Sequence, residues 1–510
     1  MSKGKLLKGT AILTVVGVIT RLLGFFYKIF LSNLLGAEKL GVYQLIFPVY
    51  GVCYNIYATG IQTTISRFVA AELGKKNYKN TVKVLRIGLF FSVTIATILS
   101  IIVFSNAEYI ASNIIFEPRI SSSLKILAIV FPFCGITSCI NGYYYGLTKS
   151  GVPAITQLLE QMVRILIVYA MSIGLANGNH SFSIEIAVVG LVIGEISSTI
   201  YNIISYYATY DTRQIKINSK KTNIRADRTR FLTGSILKMS LPLTSNRLII
   251  SILTSMEAIL IPSMLRKYGL SNADALSIYG ILNAMAKPFI MFPSTVTNSL
   301  SVLLLPTISE ASATKNMNSI KRTTSLSIKY SILVGILSTG IFIVFGEELG
   351  VRIFSNALAG KYITILAWLC PFLYIGSTFT SILNGLDKVH ISFLSSVLGL
   401  ALKILLIGYL IPKGGISGYF ISLLISLLFT SSFDFFVIYK NIGLKLDAIE
   451  VIAIPGLIVF LCGYFVKRTY IYLSKDYGGI LLLFILCLFY TCFYLILLYL
   501  SKVINKDDIK

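Results

Sequence analysis

Seven basic side chains lie inside apolar stretches of this sequence, where a charged group is costly. They are Arg21, Lys28, Arg67, Arg164, Arg247, Lys287 and Lys403, and the acids in the same kind of stretch are Glu160, Glu195, Glu257 and Asp434. If the stretches cross a membrane, each ionised group costs about 2.5–3.5 kcal/mol at mid-bilayer and must face a partner or water. The excess of positive charge predicts an anionic ligand, and the planar guanidinium of arginine suits the oxygens of a diphosphate.

Arg21 and Arg247 are the leading candidates because each lies near the middle of its apolar stretch. Lys28 follows Arg21 by seven residues, which is two helical turns, so both lie on the same helix face. We therefore predict that these three side chains bind the anionic ligand. The further candidates for ligand binding are Arg67, Arg164 and Lys287.

Simpler roles remain open for several of these basic residues. Glu160 and Arg164 are four residues apart on one predicted helix, so they could pair with each other. Arg67 and Lys28 lie near the ends of their stretches, and their long side chains could reach the membrane surface.

Glu257 and Asp434 are candidate sites for coupling to Na+ or H+, because neither has an obvious partner on its own helix; a structural ion pair is the alternative. No other cofactor and no metal centre is predicted. The seven cysteines fall within apolar stretches and form no C-x-x-C pair, and the sequence contains no G-x-x-x-x-G-K-[ST] loop.

The composition predicts the elements that must position these residues. The chain has 510 residues, of which 55% are hydrophobic and 13% charged, whereas soluble proteins carry about 25% charged residues. We predict an all-α polytopic membrane protein with fourteen transmembrane helices. Their centres lie near Val18, Tyr54, Val93, Phe133, Ile165, Ile196, Leu253, Phe292, Leu337, Tyr374, Leu402, Leu427, Val459 and Leu488.

Prolines interrupt several of these stretches. In lipid, a broken helix survives only where neighbours or a cavity satisfy the freed carbonyls, so the prolines indicate an interior lumen, with a simple bend in a packed helix as the alternative. The prolines concerned are Pro48, Pro132, Pro242, Pro288, Pro293 and Pro371.

The net charge of +24 mainly reports orientation. Most loop lysines and arginines lie on the side of the N-terminus, which predicts that both termini are cytoplasmic. Three basic residues in the last predicted outer loop, Lys467, Arg468 and Lys475, oppose this distribution. We expect the basic loops to contact anionic lipid headgroups and no nucleic acid.

An internal repeat is visible at an offset of 239 residues. Residues 127–133 (LAIVFPF) align with 366–372 (LAWLCPF), and residues 146–149 (GLTK) align with 385–388 (GLDK). This predicts two six-helix lobes in parallel repeat, related by a pseudo-two-fold axis along the membrane normal. The predicted domains are an N-lobe of spans one to six (1–210), a basic cytoplasmic linker (211–233), a C-lobe of spans seven to twelve (234–440), and spans thirteen and fourteen with a cytoplasmic C-terminus (441–510).

Three segments also carry a resemblance to a known family. Residues 20–25 (TRLLGF), 35–37 (LGA) and 60–70 (GIQTTISRFVA) resemble the start of the family of stage V sporulation protein B and its polysaccharide-transporter relatives. That family belongs with the MurJ-type lipid II flippases and the multidrug and toxin extruders to one superfamily of two-lobed, alternating-access transporters.

The resemblance implies a flippase with no covalent chemistry. Its substrate would be a polyprenyl-diphosphate-linked saccharide that moves from the inner to the outer leaflet of a bacterial plasma membrane, with cell-envelope synthesis enzymes as candidate partners. Arg21 matches the first-helix arginine that MurJ-type proteins place in their cavity. Their next cavity arginine falls at Tyr27, beside Lys28, and this departure favours the sporulation and polysaccharide branch.

Two other functions remain to be weighed. A cation-coupled multidrug antiporter of the same superfamily often carries cationic substrates, which the excess of basic side chains disfavours. A membrane glycosyltransferase or polymerase would be expected to show a large outer loop or a clustered acid and histidine, and neither His180 nor His390 has an acidic neighbour in the sequence.

Overall fold

The computed structural model describes residues 3–176, 182–209, 214–215, 217, 229–444, 447–474 and 479–504. Over these ranges the chain is helical and contains no β-strand, which confirms the predicted all-α class. Backbone contacts divide the chain into two units, Met1–Ile259 and Leu260–Lys510. Most of the predicted linker 211–233 lies outside the described residues.

Ten helices that begin in the first unit have their bounds within the described ranges. They are α1 (Lys3–Gln44), α2 (Phe47–Tyr54), α3 (Gly60–Gly74), α4 (Tyr78–Ser105), α5 (Ala107–Tyr109), α6 (Ser121–Ala128), α7 (Phe131–Gly146), α8 (Gly151–Ala176), α9 (Glu185–Ala208) and α10 (Thr229–Lys267). A π-helical turn, Asn55–Thr59, joins α2 to α3 without a break, so residues 47–74 form one continuous helical stretch.

Nine further helices lie in the described part of the second unit. They are α11 (Asn272–Gly280), α12 (Lys287–Ile290), α13 (Ser294–Ala313), α14 (Met317–Phe354), α15 (Ala357–Ala367), α16 (Cys370–Gly385), α17 (Val389–Ile442), α18 (Ile454–Leu473) and α19 (Ile480–Leu500). A π-helical turn, Ile281–Ala286, connects α11 to α12.

Nine helices in the described ranges are long and apolar enough to cross a membrane, and three bent pairs raise the number to twelve. The bent pairs are Pro118–Ala128 with Phe131–Gly146, Asn272–Ile290 with Ser294–Ala313, and Ala357–Ala367 with Cys370–Gly385. The predicted second span corresponds to the stretch 47–74, and predicted spans eleven and twelve both fall within α17. Each predicted span therefore coincides with a helical segment or with the bend inside a pair.

Helix α17 consists of two antiparallel spans. Its 54 residues would extend about 80 Å if straight, whereas the hydrocarbon core is about 30 Å thick. Gly415 interrupts the helix with φ 57° and ψ −138°, a conformation open to glycine because it has no Cβ. The chain turns back there, since a Cβ on Gly418 would lie 2.9 Å from the Ile411 nitrogen. The Ser426 hydroxyl then donates to the Gly399 carbonyl at 2.8 Å.

Backbone features recur at the offset of 239 residues that the sequence repeat shows. Helices α7 and α16 begin and end at equivalent positions, 131–146 and 370–385. Six of the seven non-glycine residues with positive φ in the described ranges also fall into three pairs at this offset. The pairs are Lys76 with Lys315, Phe116 with Ser355, and Thr148 with Asp387.

Tertiary contacts within each unit repeat in the same way. The Ser100 hydroxyl donates to the Ala128 carbonyl at 2.6 Å, and the Thr339 hydroxyl donates to the Ala367 carbonyl at 2.8 Å. Thr339 lies 239 residues after Ser100, and Ala367 lies 239 residues after Ala128, so the two units share backbone geometry as well as sequence. The internal repeat is therefore confirmed across these helices.

Prolines mark most of the breaks. Pro132 and Pro371 lie in the first turns of α7 and α16, directly after bends of 49° and 58°. Pro293 immediately precedes α13, where the bend is 61°. Proline fits the first helical turn because its missing N–H needs no partner there. Helix α10, in contrast, continues through Pro242, which agrees with the alternative interpretation that a proline can be accommodated within a packed helix.

Helices α18 and α19 pack against α14, and ion pairs link α14 to α18 and to the π-helical turn Ile449–Ala453 that leads into α18. Lys467 donates to Glu348 at 2.5 Å and to the Val344 carbonyl at 2.8 Å. At the other end, Lys329 donates to Glu450 at 2.7 Å. Lys467, one of the basic residues that oppose the charge distribution in the sequence, is thus neutralised by a carboxylate on a neighbouring helix.

Helices α14 and α15 cross where two glycines meet, and this crossing yields a stability prediction. A Cβ on Gly350 would overlap the backbone of Gly360, and one on Gly360 would lie 2.7 Å from the Glu347 Cα. We expect Gly350→Ala to destabilise the protein by about 1–3 kcal/mol through overpacking, measured as a lower thermal midpoint in detergent. Gly376→Ala is the matched control, because no atom lies within 4 Å of its added methyl group. An unchanged midpoint for Gly350→Ala would contradict the close crossing.

Candidate functional site

One side of helix α1 is an exposed apolar stripe. Val15, Ile19 and Phe26 are all exposed, and their spacing of four and seven residues places them on one face. Because α1 is a candidate membrane span, this stripe is the side that lipid contacts. Tyr27 and Leu31 are buried on a different side of the helix, and α1 packs against α8.

Arg21 and Lys28 face away from the lipid-facing stripe of α1. At about 100° per residue, they lie roughly 140° and 160° around the helix from the centre of that stripe. Arg21 is exposed and Lys28 is half-buried, and neither forms a hydrogen bond or ion pair with a described residue. An unpaired arginine in the span, turned away from lipid, must face water or a ligand.

Arg247 has the same character on helix α10. It is exposed, and no hydrogen bond or ion pair joins it to the part of the chain that the structure describes. The exposed apolar side of α10 is formed by Leu241, Ile249, Ile252 and Met256. Arg247 lies about 160° from the centre of that side. Two membrane helices that begin in the first unit therefore each present, away from their lipid-facing sides, an arginine with no partner among the described residues.

Small side chains hold α10 tightly against α2 and α3, which fixes the direction of Arg247. A Cβ on Gly60 would lie 3.0 Å from the Thr244 backbone nitrogen. Further along the helices, the Ser255 hydroxyl donates to the Pro48 carbonyl at 3.2 Å. These contacts lie within the unit Met1–Ile259, and they hold α10 against α3 before Arg247 and against α2 after it.

Two further basic candidates differ in their contacts: Arg67 has no partner among the described residues, whereas Lys287 contacts residues of its own unit. Arg67 lies on α3 and is exposed, with no partner among the residues described. Lys287 is half-buried, and its Nζ donates to the Asn283 Oδ1 at 2.9 Å. The same Nζ lies 5.0 Å from the centre of the Tyr419 ring, a cation–π distance. Lys287 is thus held by its own unit.

Arg164 is paired on its own helix, which is one of the two roles that the sequence left open. Its Nη2 donates to the Glu160 Oε1 one turn earlier in α8. The two side chains are 17% and 24% exposed, and a Cβ on Gly194 of α9 would lie 2.8 Å from the Glu160 carbonyl. The Nε of Arg164 remains buried without a hydrogen bond to a described residue. Its charge is largely neutralised, so it is a weaker ligand for an external anion than Arg21.

The two acids predicted for ion coupling are both buried, each 8% exposed. Glu257 lies on α10 and interacts with neighbouring groups, so it is not an isolated carboxylate. Asp434 lies on the second half of α17, where its Oδ1 has no hydrogen-bond partner in the described ranges. A buried carboxylate oxygen without a donor is costly.

Glu195 was given no role by the sequence, yet it lies in a buried polar cluster of the first unit. It is 8% exposed, and the Tyr50 hydroxyl donates to its Oε1 at 3.5 Å. The same hydroxyl is 3.5 Å from the Cys134 sulfur. The available signal was the repeat itself, because Glu195 precedes Asp434 by 239 residues.

The sequence matches two family models and several known proteins. The family model "Polysaccharide biosynthesis protein" matches residues 6–312, and the MatE model matches residues 248–410. Stage V sporulation protein B of Bacillus subtilis (strain 168) is 24% identical over 514 residues, covering 100% of this chain and 98% of the relative. Lipid II flippase MurJ of the same organism is 22% identical over 423 residues, covering 79% of this chain and 76% of the relative.

Solved structures share the fold. A lipid II flippase MurJ in an inward closed conformation matches with a TM-score of 0.68 and 15% identity, covering 98% of this chain and 100% of that one. An inward-facing multidrug resistance MATE family transporter of the MOP superfamily matches with a TM-score of 0.67 and 14% identity, covering 84% and 94%. With the spanning helices, these matches identify a multi-pass membrane protein of the MOP superfamily fold.

Proposed function

The chain belongs to the polysaccharide biosynthesis protein family, and on that premise we propose that it is a flippase for a polyprenyl-diphosphate-linked saccharide. The observation that carries the proposal is the pair Arg21 and Arg247, exposed and unpaired on the sides of α1 and α10 that face away from lipid. The matches to stage V sporulation protein B and lipid II flippase MurJ support the same class of substrate.

The arginines are suited to a diphosphate because of their number and shape. A guanidinium offers parallel N–H donors that match two oxygens of one phosphate, and a second guanidinium matches the other phosphate. Lys28, two turns beyond Arg21, adds a point charge on the same face. Arg67, exposed on α3, is placed to attract the headgroup as it approaches. The apolar tail stays in the bilayer while the charged headgroup crosses along the basic side chains.

The same proposal includes a direction of transport and an energy source for it. We assign both termini to the cytoplasmic side of a bacterial plasma membrane, so that transport runs from the inner to the outer leaflet. The buried acids Glu257 and Asp434 are the proposed coupling sites, since an ion bound by an intramembrane carboxylate can link transport to a gradient. The protein acts as a transporter and performs no covalent chemistry on the saccharide.

A second candidate function is a cation-coupled multidrug antiporter. The match of the MatE model to residues 248–410 favours it, as does the shared fold with a MATE transporter. The positive charge of Arg21 and Arg247 opposes it for cationic drugs, because like charges disfavour binding in a cavity of low dielectric constant.

Reconstituted vesicles distinguish the two functions. The probe is a polyprenyl diphosphate carrying a labelled amino sugar, and a water-soluble reagent that cannot cross the bilayer modifies only the sugar on the outer leaflet. We expect the protein to make the inner-leaflet pool reactive, while a polyprenyl lipid with a neutral headgroup stays protected. Efflux of a cationic dye without movement of the diphosphate probe would instead establish the antiporter.

A further inference from the structure

Two buried acids occupy equivalent positions in the two units. Glu195 lies on α9 and Asp434 lies on the second half of α17, and their numbers differ by 239, the offset of the repeat. Both side chains belong to residues that are 8% exposed. The basic residues at the equivalent positions of the preceding helices, Arg164 and Lys403, are related by the same offset. A buried acid at this position is therefore a shared feature of the repeat.

In the first unit, the charges around Glu195 leave one acid in excess. Helix α8 contributes Glu160 and Arg164, which neutralise each other in an ion pair. Helix α7 contributes the thiol of Cys134, and residues 50–57 contribute three phenol groups. Those three tyrosines are Tyr50, Tyr54 and Tyr57. All of these neighbours except the ion pair are uncharged, so no cation remains for Glu195.

An unsatisfied buried hydroxyl adds to this cluster. Tyr57 is fully buried, its ring lies beside that of Tyr54 with centroids 5.8 Å apart, and its hydroxyl makes no hydrogen bond of standard geometry with a described residue. The phenol lies close enough to Cys134 and Glu195 to interact electrostatically with both. A buried polar atom without a partner points to a further hydrogen-bonding species in the cluster.

In the second unit, the carboxylate of Asp434 has fewer hydrogen-bond partners than that of Glu195. Its Oδ1 is buried and lacks a hydrogen bond to any residue that the structure describes, and no ion pair involves this carboxylate there. The hydroxyl-bearing side chain that faces it is Ser395, on the first half of α17. An isolated charged carboxylate in such surroundings is strongly unfavourable, and binding a positive species removes the cost.

We propose that Glu195 and Asp434 are equivalent proton-binding sites, one in each unit. The donor set distinguishes a proton from a metal cation, because hard cations are held by several oxygen ligands. Around Glu195 the neighbours are phenols, which already carry protons, and a thiol, which is a soft ligand. Each carboxylate takes a proton from the aqueous phase, becomes a neutral acid, and returns the proton when its surroundings open to water.

This inference deepens the proposed transport function, since two protons bound in the helices of the two units can drive the cycle. It adds Glu195, the equivalent of Asp434 in the first unit, to the proposed coupling sites Glu257 and Asp434. It also predicts that the two acids act as a matched pair, so that loss of either leaves one proton-binding event intact.

The test is infrared difference spectroscopy of the purified full chain in detergent, recorded as the pH is lowered without any substrate. The carbonyl band of protonated carboxylic acids reports the sites directly. We expect Glu195→Gln and Asp434→Asn each to remove one component of the band, and the double variant to remove both. Glu185→Gln is the matched control, because Glu185 begins the same helix and accepts a hydrogen bond from Ser122.

Two outcomes would overturn the inference. One is a carbonyl band that keeps both components in the two single variants, and the other is a band that Na+ suppresses at constant pH, which would indicate a metal site. If Glu195→Gln does not fold, Glu195→Asp must instead shift the frequency of the same component. Because the spectra need no lipid probe, failure of flipping with normal proton bands would reject the proposed substrate alone.

Discussion

Replacing Arg21 or Arg247 by alanine is expected to slow flipping of the polyprenyl diphosphate probe about 10- to 100-fold at limiting probe concentration. A hydrogen bond to a charged group contributes about 1.5–3 kcal/mol, and each 1.4 kcal/mol is a tenfold change in affinity. Both arginines are exposed and without described partners, so truncation removes ligand contacts without breaking a contact inside the protein. The initial rate in the vesicle assay measures the effect.

Two matched variants control for charge and for folding. Arg21→Lys keeps the positive charge but loses the parallel donors, so its rate should fall between wild type and Arg21→Ala. Arg468→Ala removes an exposed arginine on α18 that donates to the Tyr464 hydroxyl, and it should leave the rate unchanged. Equal losses in Arg21→Ala and Arg468→Ala would mean that overall surface charge governs the rate.

Arg164→Ala is expected to lower the stability of the folded protein substantially. It leaves Glu160 without its partner and Glu195 without the nearest positive charge. Breaking a buried ion pair from one side costs about 3–5 kcal/mol. Since the two side chains are 17% and 24% exposed, we expect a value at the lower end of that range. The apparent thermal midpoint in detergent measures the effect.

The double variant Glu160→Ala with Arg164→Ala separates the ion pair from simple loss of packing. Removing both partners leaves no uncompensated charge at that position, so the double variant should be more stable than Arg164→Ala alone. A double variant less stable than either single one would show that the two residues act independently.

The sequence predicted the spans and the repeat because both leave strong local signals. Segments 127–133 and 366–372 retain the same Leu-Ala and Pro-Phe pattern, and they lie at the equivalent bends before α7 and α16. The left-handed residues at the helix ends were not predictable, because positions such as Phe116 and Ser355 carry no glycine. Their conformation is set by the capping contacts of the folded chain, which satisfy the last helical carbonyls.

The candidate site was predictable in its residue types and less so in its partners. Arg164 had an i,i+4 acid in the sequence, but only the structure decides that the pair forms. Lys287 contacts the ring of Tyr419, more than a hundred residues away, and no local pattern signals such a contact. The sequence alone also left open whether Pro242 breaks α10, since the packing of a helix against its neighbours decides whether a proline is accommodated.

The most direct measurement of the central assignment is equilibrium binding of two lipids that differ by one phosphate. Purified wild-type protein and the double variant Arg21→Ala with Arg247→Ala are each titrated with a polyprenyl diphosphate sugar and with its monophosphate counterpart. The wild type should prefer the diphosphate, and the double variant should lose that preference because the second phosphate no longer meets a guanidinium. A preference for the diphosphate that survives in the double variant would contradict the role assigned to Arg21 and Arg247.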